Sequence, residues 1–313
     1  MTILKLHISV FTEQNFSYFE SCFQTFKKLY IMRFSRRNFL RLSGAGMLAG
    51  QAPLLLAGGC SSHHSQVAAG IPFSLGIASY TFREFSLEDT IRMTQRLAIK
   101  KLCLKSMHLP LELSPEEIKA AAAKVRDAGL DLYAGGVIYM KTPEEVDQAF
   151  SYAGHAGMKV IVGAPVHDLL EYCDQKVRET GIKVAIHNHG PGDDVYPTPE
   201  SVYEKIKDLD PRMGLCVDIG HTLRIGLDPV AETAKYIDRV HDIHIKDEDK
   251  AEESGDTCEM GRGVIDIPGF LQMLIQKNYS NVVSFEYEKD GNDPLPGLAE
   301  SVGYTRGVLK MLT

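Results

Sequence analysis

The chain of 313 residues contains no tryptophan and only six cysteines, and those show no CxxC or other paired spacing. Cys22 and Cys60 fall in the first sixty residues, while Cys103, Cys173, Cys216 and Cys258 are scattered singly. That argues against a structural zinc site built on thiolates. Cys103 and Cys216 sit in strand-like runs and read as small buried apolar residues. No basic block is present, and a formal charge of −7 leaves no electrostatic footprint for nucleic acid. A Gly-rich phosphate turn after the first strand-like run is missing too, which argues against the main rival architecture, an open doubly wound sheet. The one early apolar run, Gly44 to Gly59, is too short and too Gly-rich to span a bilayer as a stable helix.

That run belongs to a targeting segment. Ser35-Arg36-Arg37-Asn38-Phe39-Leu40 is a twin-arginine signal, and the run behind it closes on Leu55-Leu56-Ala57-Gly58-Gly59-Cys60-Ser61-Ser62. The closing stretch resembles a bacterial lipoprotein processing site with Cys60 as the lipidated residue, although Ala57 stands where a larger aliphatic residue is usual. Simple cleavage nearby is the alternative. Signal peptides seldom carry thirty residues ahead of the arginine pair, so translation is expected to start at Met32. The reading is thus residues 1–31 as a spurious extension, 32–60 as the signal, 61–72 as a linker and 73–313 as the folded domain. Export to the periplasm follows, with a lipid anchor at Cys60 as one outcome.

From Phe73 onward the chain alternates short β-branched runs with segments of helical apolar spacing. Strand-like runs are expected at Phe73–Tyr80, Leu102–His108, Asp131–Val137, Lys159–Gly163, Lys183–His187, Met213–Asp218, Val240–Ile245 and Val282–Glu286. Helices are expected between them, three opening on Ser114-Pro115-Glu116-Glu117, Thr142-Pro143-Glu144-Glu145 and Thr198-Pro199-Glu200-Ser201, each a capping side chain with proline in the first turn. Eight strands alternating with eight helices in one unit near the usual length of about 250 residues predict a (β/α)₈ barrel.

The second half carries the chemistry. Ile186–Gly190 (IHNHG), Val217–His221 (VDIGH), Ile243–Asp247 (IHIKD) and Phe285–Glu288 (FEYE) each follow an apolar run. His187, Asp218, His244 and Glu286 therefore fall at the same end of four successive strands, where a barrel would make them converge. Two imidazoles and two carboxylates suit one divalent ion of intermediate hardness: manganese, cobalt, iron or zinc. Singly, each has a bland reading as a surface or packing residue; four at equivalent strand ends are hard to obtain by chance. Glu288 shares the strand parity of Glu286 and is its rival for the metal. Lys105 and His108 end the second strand and are candidate acids or hydroxyl binders, with solvated loop residues as the alternative. Tyr80 and Phe82 could stack on a sugar ring or belong to the core. Lys246 could meet a substrate oxygen or only Asp247.

These motifs and their order resemble the xylose-isomerase-like sugar isomerase/epimerase superfamily from about Phe73 to the C-terminus. In the pattern Asp218-Ile-Gly-His221, the resemblance implies a metal aspartate and a histidine, His221, that contacts substrate. It implies a metal histidine at His244 in His244-Ile-Lys246-Asp247 and a metal glutamate at Glu286. Gly261-Arg262-Gly263-Val-Ile-Asp266 resembles the glycine-bearing loop after strand seven, with Arg262 a candidate substrate contact, as is His189. Where the family's ketose 3-epimerases end strand five in a glutamate that is ligand and base, this chain has His187. A two-glutamate epimerisation is therefore not available as such.

Enolisation remains: a metal, with manganese favoured, stabilises the enediolate oxygen while Glu286 or a histidine removes the proton. The expected function is a metal-dependent isomerase or epimerase on a non-phosphorylated sugar or keto-sugar. A 3-keto-glycoside lyase that eliminates the aglycone is the close alternative, and a non-catalytic exported carbohydrate-binding barrel is the alternative of another class. A DNA-repair nuclease, which this barrel also supports, would need more metal ligands than are found.

Overall fold

The computed structural model describes residues 70–313. The extension 1–31, the signal segment, Cys60 and all but the end of the linker lie outside the described residues. Eight parallel strands close into a barrel: β1 (Ser74–Ala78), β2 (Lys101–Leu104), β3 (Asp131–Met140), β4 (Val160–Pro165), β5 (Lys183–His187), β6 (Met213–Asp218), β7 (Val240–Ile245) and, after a two-stranded hairpin of β8 (Asp247–Glu248) and β9 (Thr257–Cys258), β10 (Val282–Phe285). Each strand pairs with its predecessor, and β1 pairs with β10 to close the ring. This is a (β/α)₈ barrel.

The helices start where the side-chain chemistry says they should. Helices α1 (Leu87–Arg96), α2 (Pro115–Asp127), α3 (Pro143–Ala156), α4 (Leu170–Thr180) and α5 (Pro199–Ile206) alternate with the first strands. Ser114, Thr142 and Thr198 each accept the backbone N–H three residues on, and the reciprocal bond makes all three capping boxes. The second half adds α6 (Ile219–Arg224), α7 (Pro229–Lys235), α8 (Ile267–Gln276) and α9 (Leu295–Leu312). Neither α6 nor the β8–β9 hairpin was expected from the sequence, because six and two residues are too few to show a period. Among the described residues, no helix is long and apolar enough to cross a membrane.

Strand parity divides the core in two. Leu102, Ile161, Ile186, Leu215, Val217, Ile243 and Phe285 pack with the helices, whereas Cys103, Tyr133, Val160, Val162, Ala185, Cys216 and Val282 form a separate cluster that fills the barrel. Cys103 and Cys216 are free and fully buried, the packing role expected of them. Asp242 shares this interior, on the inward face of β7 two residues below His244. Its Oδ2 accepts from the Tyr133 hydroxyl at 2.7 Å, and that hydroxyl meets Ser284 Oγ at 2.6 Å. Burial pushes the Asp242 carboxyl up to about 6.

Two strand boundaries differ from expectation. The second strand stops at Leu104, and residues 105–108 turn back in hydrogen-bonded loops, with the His108 and Leu109 amides both donating to the Lys105 carbonyl. The third strand runs on to Met140 through an irregular register against β4, which carries Tyr139 out of the core to the rim.

Candidate metal centre

The strand ends bring four side chains together. His187 closes β5, Asp218 closes β6, His244 is the penultimate residue of β7 and Glu286 follows β10. Asp218 and His244 are register partners, and His244 pairs in turn with Ser284, two residues before Glu286. One ligand atom from each of the four lies within 4.8 Å of all the others. His187 Nε2 is 3.5 Å from Asp218 Oδ2, and His244 Nδ1 is 3.2 Å from Glu286 Oε2. All four residues are buried. Glu288 does not join them: ladder pairing ends at Phe285, so the parity that made it a rival to Glu286 no longer applies.

The electrostatics suit a cation. Burial works against ionisation of Asp218, yet His221, the Lys246 ammonium and His187 hold its carboxyl well below the usual range. Burial likewise opposes the Glu286 carboxylate, and His244 with Lys246 outweighs it. Burial lowers His187 to about 4 and His221 to about 3, so both imidazoles are neutral at pH 7. Burial also acts against His244, but its contact with Glu286 prevails and raises it. Lys246 Nζ lies 2.9 Å from Asp218 Oδ2 and 3.0 Å from Glu286 Oε2, and it also bonds Glu288 Oε1. Those three carboxylates keep Lys246 charged despite burial.

The residues fit a divalent ion by a direct test. His187 Nε2 and His244 Nε2 are buried without a hydrogen-bond partner among the described residues, and Asp218 Oδ2 between them meets the Lys246 ammonium but accepts no well-aligned hydrogen bond. Each such orphan costs roughly 1–3 kcal/mol unless something satisfies it. Two orphaned imidazole nitrogens facing two buried carboxylates match the donor set of a first-row divalent ion.

Neighbouring motifs hold this arrangement. Asn188 Oδ1 accepts the Asp218 amide at 3.0 Å, and its Nδ2 donates to Thr222 Oγ1 at 3.2 Å, tying the end of β5 to α6. Asp218 caps α6 through the His221 amide at 2.8 Å. Gly190, at φ 72°, allows the β5 loop to pass His221, whose carbonyl oxygen would lie 2.8 Å from a Cβ there. Asp247 explains the glycine-bearing loop: its carboxylate accepts the amides of Glu248, Gly261, Gly263 and Ile265 at 2.8 to 3.2 Å.

The remaining candidates separate. His221 reaches the cluster, its Nε2 3.9 Å from Asp218 Oδ2 and its Nδ1 unpartnered. His189 packs edge-on against His187 and His221, with its Nδ1 3.3 Å from the Tyr139 hydroxyl. Tyr80 is half-buried under Lys105 Nζ, 4.9 Å from the ring centre, while Phe82 is core. His108 is buried, with Nδ1 on Ser79 Oγ at 2.9 Å and Nε2 on the Phe82 carbonyl at 3.0 Å, so both ring nitrogens are committed to the protein. Arg262 forks onto Glu300 of α9 at 2.7 and 2.8 Å, bonding none of the cluster residues. A cavity of about 520 Å³ opens beside the cluster, lined by Tyr139, His189, Asp193, Val195, His221 and Arg224 among others. Tyr139 and Arg224 were missed from the sequence. Arg224 had a signal, since Asp218, His221 and Arg224 recur every third residue and so share one helix face.

Comparison with known proteins agrees with this architecture. Residues 98–308 match the family model described as the xylose isomerase-like TIM barrel. An inosose dehydratase of Clostridium tetani (strain Massachusetts / E88) is 30% identical over 130 residues, which cover 36% of this chain and 43% of that protein. The chain thus spans less than half the length of the curated relatives it matches. The crystal structure of the IOLI protein with a zinc atom superposes with a TM-score of 0.66 at 17% identity, covering 77% of this chain and 99% of the other. That of the 3-keto-D-glucoside 4-epimerase YcjR from E. coli gives 0.61 at 15% identity, covering 75% and 99%. Both likenesses show the fold. Since the family match takes in well over half of a chain that closes into this barrel, the protein belongs to the xylose isomerase-like TIM barrel family.

Proposed function

We propose that the protein is a divalent-metal-dependent enzyme that removes a proton from the carbon beside a carbonyl of a non-phosphorylated sugar or keto-sugar. The observation that carries this reading is the cluster of His187, Asp218, His244 and Glu286 with its unsatisfied buried atoms. Similar proteins named as an inosose dehydratase and a 3-keto-D-glucoside 4-epimerase support it. The four side chains would hold the ion, manganese being the one we favour. When bound, the ion polarises the carbonyl and stabilises negative charge on its oxygen.

The chain's own groups have distinct parts. Glu286 is ionised and is the candidate base. Lys246, charged and buried, spends its three N–H donors on Asp218, Glu286 and Glu288, so it orients the carboxylates of the cluster and is kept from acting as a base. His221 offers a free Nδ1 to a hydroxyl, and His189 and Tyr139 line the cavity where the rest of the substrate would lie.

Elimination of a β-leaving group, water or an aglycone, is the second reading. It is favoured by His187, which stands where a second glutamate would protonate the opposite face in two-base epimerisation. Metal-loaded protein incubated in D₂O with free ketoses and with 3-keto-glycosides separates the outcomes. Deuterium at the α carbon with the aglycone retained means isomerase or epimerase, and release of water or aglycone means lyase. Binding without exchange or release would instead mark a carbohydrate-binding barrel. Action outside the cytoplasm, from the twin-arginine segment, is a separate proposal that fractionation of cells tests.

A further inference from the structure

We infer that Arg224 recognises a carboxylate on the substrate, so that the sugar taken by this site is an acidic one. The inference rests on the sugar reading above and deepens it. Arg224 ends α6, one turn beyond His221, and lines the 520 Å³ cavity beside the metal cluster. It also lines a second cavity of about 460 Å³ with Thr257, Glu288 and Lys289, and so stands between the two.

Three other cations around the barrel mouth are held by carboxylates. Lys246 is held by Asp218, Glu286 and Glu288, Lys289 by Glu259 and Arg262 by Glu300. Arg224, by contrast, forms no ion pair within 4.0 Å with a described carboxylate, although its charge acts on the neighbouring Glu248, and its Nε is buried with no hydrogen-bond partner among the described residues. A guanidinium presents a planar fork of donors that matches a carboxylate bidentately, and leaving such a donor buried and unpartnered is costly. Acidic side chains do line the cavities. Asp193 is engaged by the amides of Val195 and Tyr196, and Glu288 by Lys246, leaving Asp194 and Asp256 at the walls. A ligand that fills the fork while its carbonyl lies at the cluster carries its negative charge at the end remote from the reacting carbon. A keto-sugar acid has that form.

The test is calorimetric binding of D-fructuronate and D-fructose to the metal-loaded full chain, because the two differ only in a terminal carboxylate. Wild-type protein should bind fructuronate at least about tenfold more tightly than fructose, and Arg224→Gln should weaken fructuronate by about ten- to a hundredfold while leaving fructose unchanged. Arg224→Lys, which keeps the charge without the fork, should fall between and guards against misfolding of the glutamine variant. Equal affinity for both ligands in the wild type, or equal weakening of both by Arg224→Gln, would overturn the carboxylate role and leave the sugar reading standing. No binding of either ligand to the wild type would overturn both.

Discussion

Asp218 uses its two oxygens for different tasks: Oδ1 accepts the His221 amide at 2.8 Å, while Oδ2 faces His187 Nε2 at 3.5 Å and Lys246 Nζ at 2.9 Å. The same carboxylate starts α6 and points into the candidate metal cluster. The direction of the carboxylate is fixed by the helix it caps, and His221 and Arg224 are placed by that helix in turn.

The two tasks can be separated by substitution. Asp218→Asn keeps a capping oxygen but removes the charge, so affinity for a divalent ion should fall by more than about tenfold. Asp218→Ala loses the cap as well and should lie about 1 kcal/mol below the asparagine variant in stability. Metal titration and urea unfolding of both variants check the pair of outcomes.

Gly263 sets the loop after β7. A Cβ there would sit 2.2 Å from Asp247 Oδ1 and 2.4 Å from the Glu248 carbonyl oxygen. Gly263→Ala should therefore destabilise by more than about 2 kcal/mol, by displacing the carboxylate that four amides share. Gly303, inside α9 with nothing within 4 Å, is the contrast. Gly303→Ala should stabilise by up to about 1 kcal/mol. Parallel unfolding curves measure both.

His108 is a positioning residue in this account. With both nitrogens bonded to Ser79 and the Phe82 carbonyl, His108→Phe should cost about 1–3 kcal/mol of stability through the orphaned partners. The pH dependence of kcat should keep the wild-type limbs. Loss of a limb in the profile would return His108 to the list of proton carriers.

His241 gives a pH dependence remote from the cluster. It is buried with Nε2 on the Pro211 carbonyl at 2.9 Å, and burial lowers it to about 4. An unfolded histidine titrates near 6.5 and so binds the proton first as pH falls. The contribution of neutral His241 is complete above about pH 6.5 and is lost progressively down to about pH 4, by up to about 3 kcal/mol. Stability against pH should fall less steeply over that window in His241→Asn than in the wild type, as read from urea midpoints.

The barrel was legible because its strands are short β-branched runs and three of its helices announce themselves with capping side chains and proline. The convergence of His187, Asp218, His244 and Glu286 was legible for the same reason: each ends or follows such a run, and closure of a barrel converts equivalent ends into one point. What depends on loops was not legible. Lys105 and His108 looked like the end of a strand, but the chain leaves the sheet at Leu104 and turns. Parity gave Glu288 the standing of Glu286, yet parity holds only while the ladder lasts. Arg262 lay in a family-like loop, and the loop directs it to Glu300. The partners of Lys246 come from the ends of two other strands, β6 and β10, a long-range fact with no local pattern.

The most direct test is the metal content of purified full-length protein, wild type against Asp218→Asn and Glu286→Gln, after exposure to manganese and removal of free ion. The account predicts about one divalent ion per chain in the wild type and a marked loss in both variants, with their folded circular dichroism retained. A wild type that holds no ion, or variants that hold as much as the wild type, would contradict it.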